Sequence, residues 1–248
     1  MFDEIEWFKK PDYATKICLA AEFQVELFEK HGRNAKDLVV TGNPAFQGIT
    51  DQKYACSGAK LRSKLGWQNK QVILWASQTE PRMHPFKDIR NGDPDLPIKI
   101  EEILQTLASK NPEWKFIFRQ HPAEVPIRKY DNANIYSSLQ AEHLWTVLNA
   151  TDVLVTQASS VGIDAYLLNK AVVQLQQSIF SKDVNYSELG IAFIADDITD
   201  IESSIAMALN QGPKVHSCVT NNAAENVIEV CLELLNHPDF ESSTEQWI

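Results

Sequence analysis

Short, strongly apolar runs alternate with stretches in which apolar residues recur every three or four positions, and this alternation limits the fold more than any other feature. The runs are QVILWAS (71–77), WKFIFRQ (114–120), DVLVTQ (152–157) and AVVQLQ (171–176). Runs that are apolar on both faces are typical of strands buried in a parallel sheet, and amphipathic stretches between them are typical of covering helices. The sequence therefore predicts an α/β fold, a Rossmann-like doubly wound parallel sheet with helices on both faces.

The other predicted elements continue this alternation. Further strands are predicted at 15–20, 37–42 and 191–195. Helices are predicted at 22–32, 57–67, 98–111, 141–150, 160–169, 200–210 and 223–236.

The first part of the chain stands apart from this series. Residues 1–44 supply about one β-α-β unit, which is too little to build a core of its own. We interpret them as the remnant of a preceding N-terminal domain and the interdomain link. Residues 45–237 are predicted to form one Rossmann-like domain, and residues 238–248 a C-terminal tail.

Charge and composition exclude several classes of protein. The net charge is −10 and Lys and Arg form no dense run, which argues against binding of nucleic acid. No apolar run is long enough to cross a bilayer, and the acidic N-terminal residues do not suit a secretory signal. The four cysteines form no CxxC pair, so we expect reduced thiols, a cytoplasmic location and no metal site.

Several sequence motifs for other α/β enzymes are absent. No GxGxxG follows a strand, and neither GxxxxGK[ST] nor GxSxG occurs. Dinucleotide redox enzymes, P-loop nucleotidases and α/β-hydrolases are therefore poorly supported.

Polar residues follow three of the predicted strands at the point where each strand ends. In open parallel sheets ligands bind at the carboxyl ends of the strands, so we expect these side chains to share a crevice. The candidates are Gln78, Arg119, His121, Gln157, Ser159 and Ser160.

The most informative strand end opens the segment TQASSVGIDAYLLNK (156–170). A helix start has unpaired N–H groups and a partial positive charge, so Ser159, Ser160 and Val161 are predicted to seat a diphosphate. Asp164 lies four residues beyond Ser160, about 6 Å along the helix, which suits a carboxylate that binds ribose hydroxyls. The alternative is that a serine only caps the helix and Asp164 is a solvated acid of the first turn.

Other residues in these regions also have structural alternatives. Gly162 lets the chain or a ligand approach closely. His121, in a His-Pro pair, has the alternative of only ending its strand, and Arg119 that of pairing with a surface acid. His84 and His143 have no supporting neighbours and are predicted to be surface residues, while Trp75 and Trp145 are predicted to lie in the core.

Four segments in a fixed order carry a resemblance to a known family. They are VVTGNPAF (39–46), RQHPAE (119–124), ATDVLVTQASSVGIDAYLLNKAVV (150–173) and NYSELGIAF (185–193). From about residue 15 to about residue 235 the chain resembles the carboxyl half of GT-B glycosyltransferases. It is also similar to bacterial UDP-N-acetylglucosamine 2-epimerases and to transferases that build capsule and teichoic-acid polymers.

The resemblance implies that residues 45–237 are the nucleotide-sugar-binding domain of a glycosyltransferase. The expected donor is a UDP-linked nucleotide sugar, and no further cofactor is expected. Its ribose is expected to bind Asp164, and its diphosphate is expected to bind Gln78, Arg119, His121, Gln157, Ser159, Ser160 and Val161. In such enzymes the general base comes from a facing N-terminal domain, so this chain alone is expected to be largely inactive. His121 and Arg119 are the residues of this chain that are expected to assist catalysis. Membrane contact is expected only through a glycan or glycolipid acceptor.

Two departures from the epimerase pattern rank the alternative functions. The segment SQTEPR (77–82) and the helix start ASSVGID (158–164) differ from the loops that are usual in the epimerases. An epimerase-like enzyme is therefore the weaker enzymatic alternative. A non-catalytic module that binds a ligand or partner is the third hypothesis.

Overall fold

The computed structural model describes residues 14–85, 87–124, 128–215 and 221–236. The chain divides into two compact units, one of residues 49–217 and one of residues 1–48 together with 218–248. The predicted tail at 238–248 lies outside the described residues.

The described elements alternate along most of the chain. The strands are β1 (Ile17–Leu19), β2 (Leu38–Val40), β3 (Gln71–Ala76), β4 (Met83–His84), β5 (Lys87–Asn91), β6 (Trp114–Arg119), β7 (Ile135–Ser137), β8 (Val153–Thr156), β9 (Ala171–Leu175) and β10 (Ala192–Ala195). The helices are α1 (Phe23–Lys30), α2 (Gln52–Leu65), α3 (Leu96–Lys110), α4 (Leu144–Asn149), α5 (Val161–Leu167), α6 (Ile201–Gln211) and α7 (Ala223–Leu235).

The larger unit is built on a six-stranded sheet in the order β10-β9-β8-β3-β6-β7. Every neighbouring pair in this sheet is parallel. Successive side chains of β3 point to opposite faces, so Ile73 and Trp75 join one core while Val72, Leu74 and Ala76 join the other. Burial of both faces requires apolar residues along the strand, as in β3 from Val72 to Ala76.

Helices cover both faces of this sheet. Helices α3 and α6 pack on the face of Trp75, through residues such as Leu104 and Ile205. Helices α2, α4 and α5 pack on the opposite face, through residues such as Leu61, Leu148 and Ala165. The predicted fold class is therefore confirmed.

The smaller unit contains the parallel pair β1–β2, helix α1 and helix α7. Its buried apolar residues include Leu19 and Phe28. Two hydrogen bonds attach α7 here: Asn226 Nδ2 donates to the Thr41 carbonyl at 3.0 Å, and the Ala224 N–H donates to Gln47 Oε1 at 3.0 Å. The sequence-based boundaries placed this helix in the domain 45–237, whereas its contacts group it with residues 1–48.

The sequence pattern did not predict some short elements or the start of one helix. The antiparallel pair β4–β5 and the edge strand β7 are too short to show a period, and α2 begins at Gln52 rather than at 57. Among the described residues, no helix is both long and apolar enough to cross a membrane.

Candidate functional site

The three strand ends identified in the sequence lie side by side. Strand β3 is flanked by β8 and β6, and Ala76 is in register with Thr156 on one side and Arg119 on the other. The residues that follow these positions therefore leave the sheet at one edge. Polar side chains meet here because the turns after the strands carry them.

Gln78 lies buried just after β3, and both ends of its amide are engaged. Its Oε1 accepts a hydrogen bond from the Ala158 N–H at 3.0 Å, and its Nε2 donates to Ser178 Oγ at 3.3 Å. The side chain therefore ties the end of β3 to the turn before α5. Gln78 therefore supports this turn, and both polar atoms of its amide are hydrogen-bonded within the protein.

Gln157 is fully buried beside a carboxylate that sequence reasoning did not single out. Its Nε2 donates to Glu80 Oε2 at 3.2 Å, while its Oε1 has no hydrogen-bond partner. Glu80 also accepts from Ser178 Oγ at 2.8 Å and from the Ile179 N–H at 2.6 Å. Burial raises the pKa of Glu80, and the hydrogen bonds from Ile179, Ser178 and Gln78 oppose that shift.

This arrangement limits what Gln157 can offer a phosphate. A phosphate oxygen accepts hydrogen bonds, so it requires a donor. The amide N–H of Gln157 that is described here points to Glu80, and the remaining oxygen is an acceptor. As oriented, the Gln157 amide supports the turn through Glu80, and its binding of a phosphate stays a prediction.

The two serines at the start of α5 have different surroundings. Ser159 Oγ accepts from the Val161 N–H at 3.4 Å, so Ser159 supplies the capping hydroxyl. Ser160 occupies the N-cap position, makes no side-chain capping bond and is exposed. Ser159 therefore makes the capping bond, whereas Ser160 is the more exposed of the two serines, and its binding of a phosphate stays a prediction.

Gly162 is where the ring of Tyr186 passes α5. A Cβ atom at this position would lie 2.2 Å from Tyr186 Cε2, so only glycine fits. The hydroxyl of Tyr186 donates to the Ser159 carbonyl at 2.5 Å, and its ring is buried. The close approach predicted at Gly162 is therefore made by the protein itself.

Asp164 is half-buried and bonded to helix α4. Its Oδ1 accepts from Trp145 Nε1 at 2.7 Å, and burial raises the pKa of Asp164. Trp145 in turn packs edge-on against Tyr54, which stacks on His143 with ring centroids 4.6 Å apart. Asp164 is thus not a freely solvated acid, and its binding of ribose stays a prediction.

Arg119 is directed to the β7 side of the sheet. Its Nη1 donates to Ser138 Oγ and to the Leu139 carbonyl, each at 3.0 Å. Burial lowers the pKa of Arg119, and the nearby Glu142 carboxylate opposes this shift. These bonds engage the guanidinium with residues that follow β7, and they do not bring it to the serines of α5.

His121 is exposed at the end of β6. Its ring Nδ1 accepts from the Ala123 N–H at 3.1 Å, and its backbone N–H donates to Glu124 Oε2 at 2.7 Å. The His-Pro element therefore does more than end a strand, since its imidazole is held in one orientation.

The predictions for the other histidines and tryptophans met mixed outcomes. His84 is buried and its Nε2 lies 2.8 Å from Asp183 Oδ2, so its assignment to the surface was wrong. His143 is exposed, as predicted, but its Nδ1 also caps α4 by accepting from the Trp145 N–H. Trp75 is a fully buried core residue as predicted, whereas Trp145 is only partly buried.

The fold and the chemistry of this edge define a class of protein. A parallel sheet with helices on both faces, and a polar edge at its strand ends, is the fold related to GT-B glycosyltransferases. Solved structures agree at the level of fold. The wall teichoic acid polymerase TagF superposes with a TM-score of 0.55 at 14% identity, over 98% of this chain and 62% of that one. The UDP-GlcNAc 2-epimerase from Methanocaldococcus jannaschii gives 0.59 at 12% identity, over 89% and 63%.

Sequence comparison then identifies the family. The chain belongs to the CDP-glycerol:poly(glycerophosphate) glycerophosphotransferase family, whose model matches residues 8–188. A curated relative is the teichoic acid glycerol-phosphate primase of Bacillus subtilis (strain 168), 28% identical over 166 residues, which are 65% of this chain and 39% of the primase. The chain thus spans well under half the length of that relative. The resemblance to GT-B transferases of polymer synthesis is confirmed.

Proposed function

We propose that this chain provides the donor-binding half of a transferase that moves a glycerophosphate group from CDP-glycerol to a hydroxyl acceptor. The observation that carries the proposal is the family match over residues 8–188, which includes all three polar strand ends. This donor differs from the nucleotide sugar expected from the sequence, although both donors are esters of a nucleoside diphosphate. The same helix start and the same strand ends serve either donor.

The chemistry of this transfer is a phosphoryl displacement. The acceptor hydroxyl oxygen forms a bond to the β-phosphorus, the bond from that phosphorus to the bridging oxygen breaks, and CMP leaves. Catalysis of such a step rests on positioning and on stabilisation of charge on the phosphate oxygens. In this chain the exposed Ser160 and the imidazole of His121 supply donors, whereas the Val161 N–H at the start of α5 is already bonded to Ser159 Oγ.

The remaining roles follow from the surroundings of each residue. Asp164 uses Oδ1 for Trp145, and we assign its Oδ2 to the ribose hydroxyls. The base that accepts the proton of the acceptor hydroxyl is assigned to a part of the whole enzyme outside this chain. We therefore expect binding of CDP-glycerol by this chain with little or no multiple turnover.

The two serines provide a matched test of the binding site. We expect Ser160→Ala to weaken binding of CDP-glycerol roughly 10- to 100-fold, the range for one hydrogen bond to a charged group. Ser159→Ala removes a capping acceptor, so we expect it to lower the free energy of unfolding by about 1 kcal/mol. Calorimetric titration measures the first effect, and urea unfolding measures the second.

The controls distinguish the donor classes and the alternatives. UDP-N-acetylglucosamine and CMP are titrated beside CDP-glycerol. Stronger binding of the nucleotide sugar would favour the sugar donor predicted from the sequence, and binding of none would favour a non-catalytic module. If Ser160→Ala binds CDP-glycerol as the wild type does, the assignment of the diphosphate to the start of α5 is wrong.

A further inference from the structure

The turn that carries His121 is closed by its own hydrogen bonds. The Glu124 N–H donates to the His121 carbonyl at 2.9 Å, and the His121 N–H donates to Glu124 Oε2 at 2.7 Å. Glu124 thus forms hydrogen bonds with both the backbone N–H and the backbone carbonyl of His121. The Glu124 carboxylate therefore contacts the backbone of His121 directly at the end of β6.

The same turn selects one form of the imidazole. The Ala123 N–H donates to Nδ1 at 3.1 Å, so this nitrogen must present its lone pair. In a neutral imidazole one ring nitrogen carries the proton and the other accepts. The proton therefore sits on Nε2, which makes the exposed side of the ring a hydrogen-bond donor.

Glu124 is itself anchored to the core of the sheet. Its Oε1 accepts from Ser77 Oγ and from Arg128 Nη2, each at 3.0 Å. Arg128 Nη2 also donates to Glu101 Oε1 at 2.7 Å, and Glu101 is only 2% exposed. Tyr130 and Trp75 donate to the same buried carboxylate. A continuous set of charged and polar contacts thus links the His121 turn to α3 and β3.

We propose that Glu124 is the positioning residue of His121: it closes the turn in which the Ala123 N–H keeps the ring as the Nε2–H tautomer, so that the ring donates a hydrogen bond to a phosphate oxygen of the donor. The role of the phosphate rests on the proposed function. The tautomer and its dependence on Glu124 rest on the contacts of this turn alone. Neither Glu124 nor Arg128 was among the site residues predicted from the sequence.

Two substitutions of Glu124 separate positioning from plain stability. Glu124→Gln keeps an amide oxygen that accepts from the His121 N–H but loses the charge that pairs with Arg128. Glu124→Ala loses both contacts. Glu113→Gln is the control, because Glu113 is an exposed carboxylate whose ion pair is with Lys70.

The first measurement needs no ligand. Imidazole ¹⁵N shifts of the labelled chain above pH 8 are expected to show mainly Nε2–H for His121 in the wild type, in Glu113→Gln and in Glu124→Gln. In Glu124→Ala we expect a mixture of tautomers, with the amide spectrum confirming the fold. A wild-type ring that carries its proton on Nδ1, or a ring unaffected by Glu124→Ala, would overturn the proposal whatever the enzyme does.

The second measurement uses the whole parent enzyme and CMP release from CDP-glycerol. We expect Glu124→Ala to lower kcat about 10- to 100-fold, the cost of a misplaced catalytic group, with a smaller change in KM. Glu124→Gln should recover most of that loss. Equal losses in both variants would mean that only the ion pair with Arg128 matters, which contradicts positioning. An inactive wild type with the expected tautomers would reject the proposed function and leave the Glu124 contact standing.

Discussion

Individual residues at the sheet edge are fixed by buried polar contacts more than by exposed ones. Glu80 is 5% exposed, and the residues that donate hydrogen bonds to it include Gln157, Ser178 and Ile179. Removal from water penalises the charged form of a carboxyl group, and hydrogen-bond donors only partly offset this penalty. Glu80 therefore couples the shape of this turn to its own state of protonation.

This coupling predicts a pH dependence of stability. Burial raises the pKa of Glu80 above its usual value of 4.5, so its contribution to stability is largest below pH 4.5 and is lost as pH rises through the folded-state pKa. Each unit of difference corresponds to about 1.4 kcal/mol. We expect the free energy of unfolding of the wild type, relative to Glu80→Gln, to fall in urea titrations as the pH rises above 4.5. A relative stability that rises with pH would contradict this.

At the scale of elements, α5 is positioned by its neighbours, because seven residues make a helix too short to be stable alone. Gln78 bonds to the Ala158 N–H before the helix, and Tyr186 bonds to the Ser159 carbonyl and packs on Gly162. The turn between β8 and α5 is thus held from two sides. This is the part of the fold on which the proposed donor site depends.

The packing of Tyr186 on α5 can be tested with one methyl group. Gly162→Ala would place Cβ 2.2 Å from the buried ring, so the ring or the helix has to move. We expect a loss of about 1–3 kcal/mol in the free energy of unfolding, the usual cost of overpacking.

Two comparisons make this test specific. Ser160→Ala, at an exposed position of the same helix start, should change stability by less than about 0.5 kcal/mol. Tyr186→Leu should relieve most of the cost of Gly162→Ala in a double-mutant cycle. An unchanged midpoint for Gly162→Ala would show that the ring adapts freely.

At the scale of the whole molecule, the two units differ in what they contain. Residues 49–217 hold the six-stranded sheet and both large core clusters. Residues 1–48 with 218–248 hold the two-stranded pair and a small cluster around Leu19 and Phe28. A domain with its own core can in principle fold alone, whereas two strands are only marginally stable.

We therefore expect a fragment of residues 49–217 to fold by itself. It should show the circular dichroism of an α/β protein and unfold in one cooperative transition, as compact domains do. Heat and urea unfolding monitored by tryptophan fluorescence measure this, with the full chain as reference. A fragment without a cooperative transition would mean that the division between the units is not an energetic one.

The amino-acid sequence by itself determined the sheet and the location of its polar edge. Burial of both faces requires strands that are apolar throughout, and this requirement is local, so the runs at 71–77, 114–120 and 152–157 identify β3, β6 and β8. The strand ends follow from the strands. Alternation with amphipathic helices then fixes the parallel arrangement.

Only the tertiary structure decided what each polar residue touches. Glu80 and Ser178 are 98 positions apart in the chain, and Trp145 reaches Asp164 from another helix. The direction of Arg119 and the grouping of α7 with residues 1–48 depend likewise on distant partners. A pattern of neighbouring residues carries no record of such partners, because hydrogen bonding and burial act on distance in space and not along the chain.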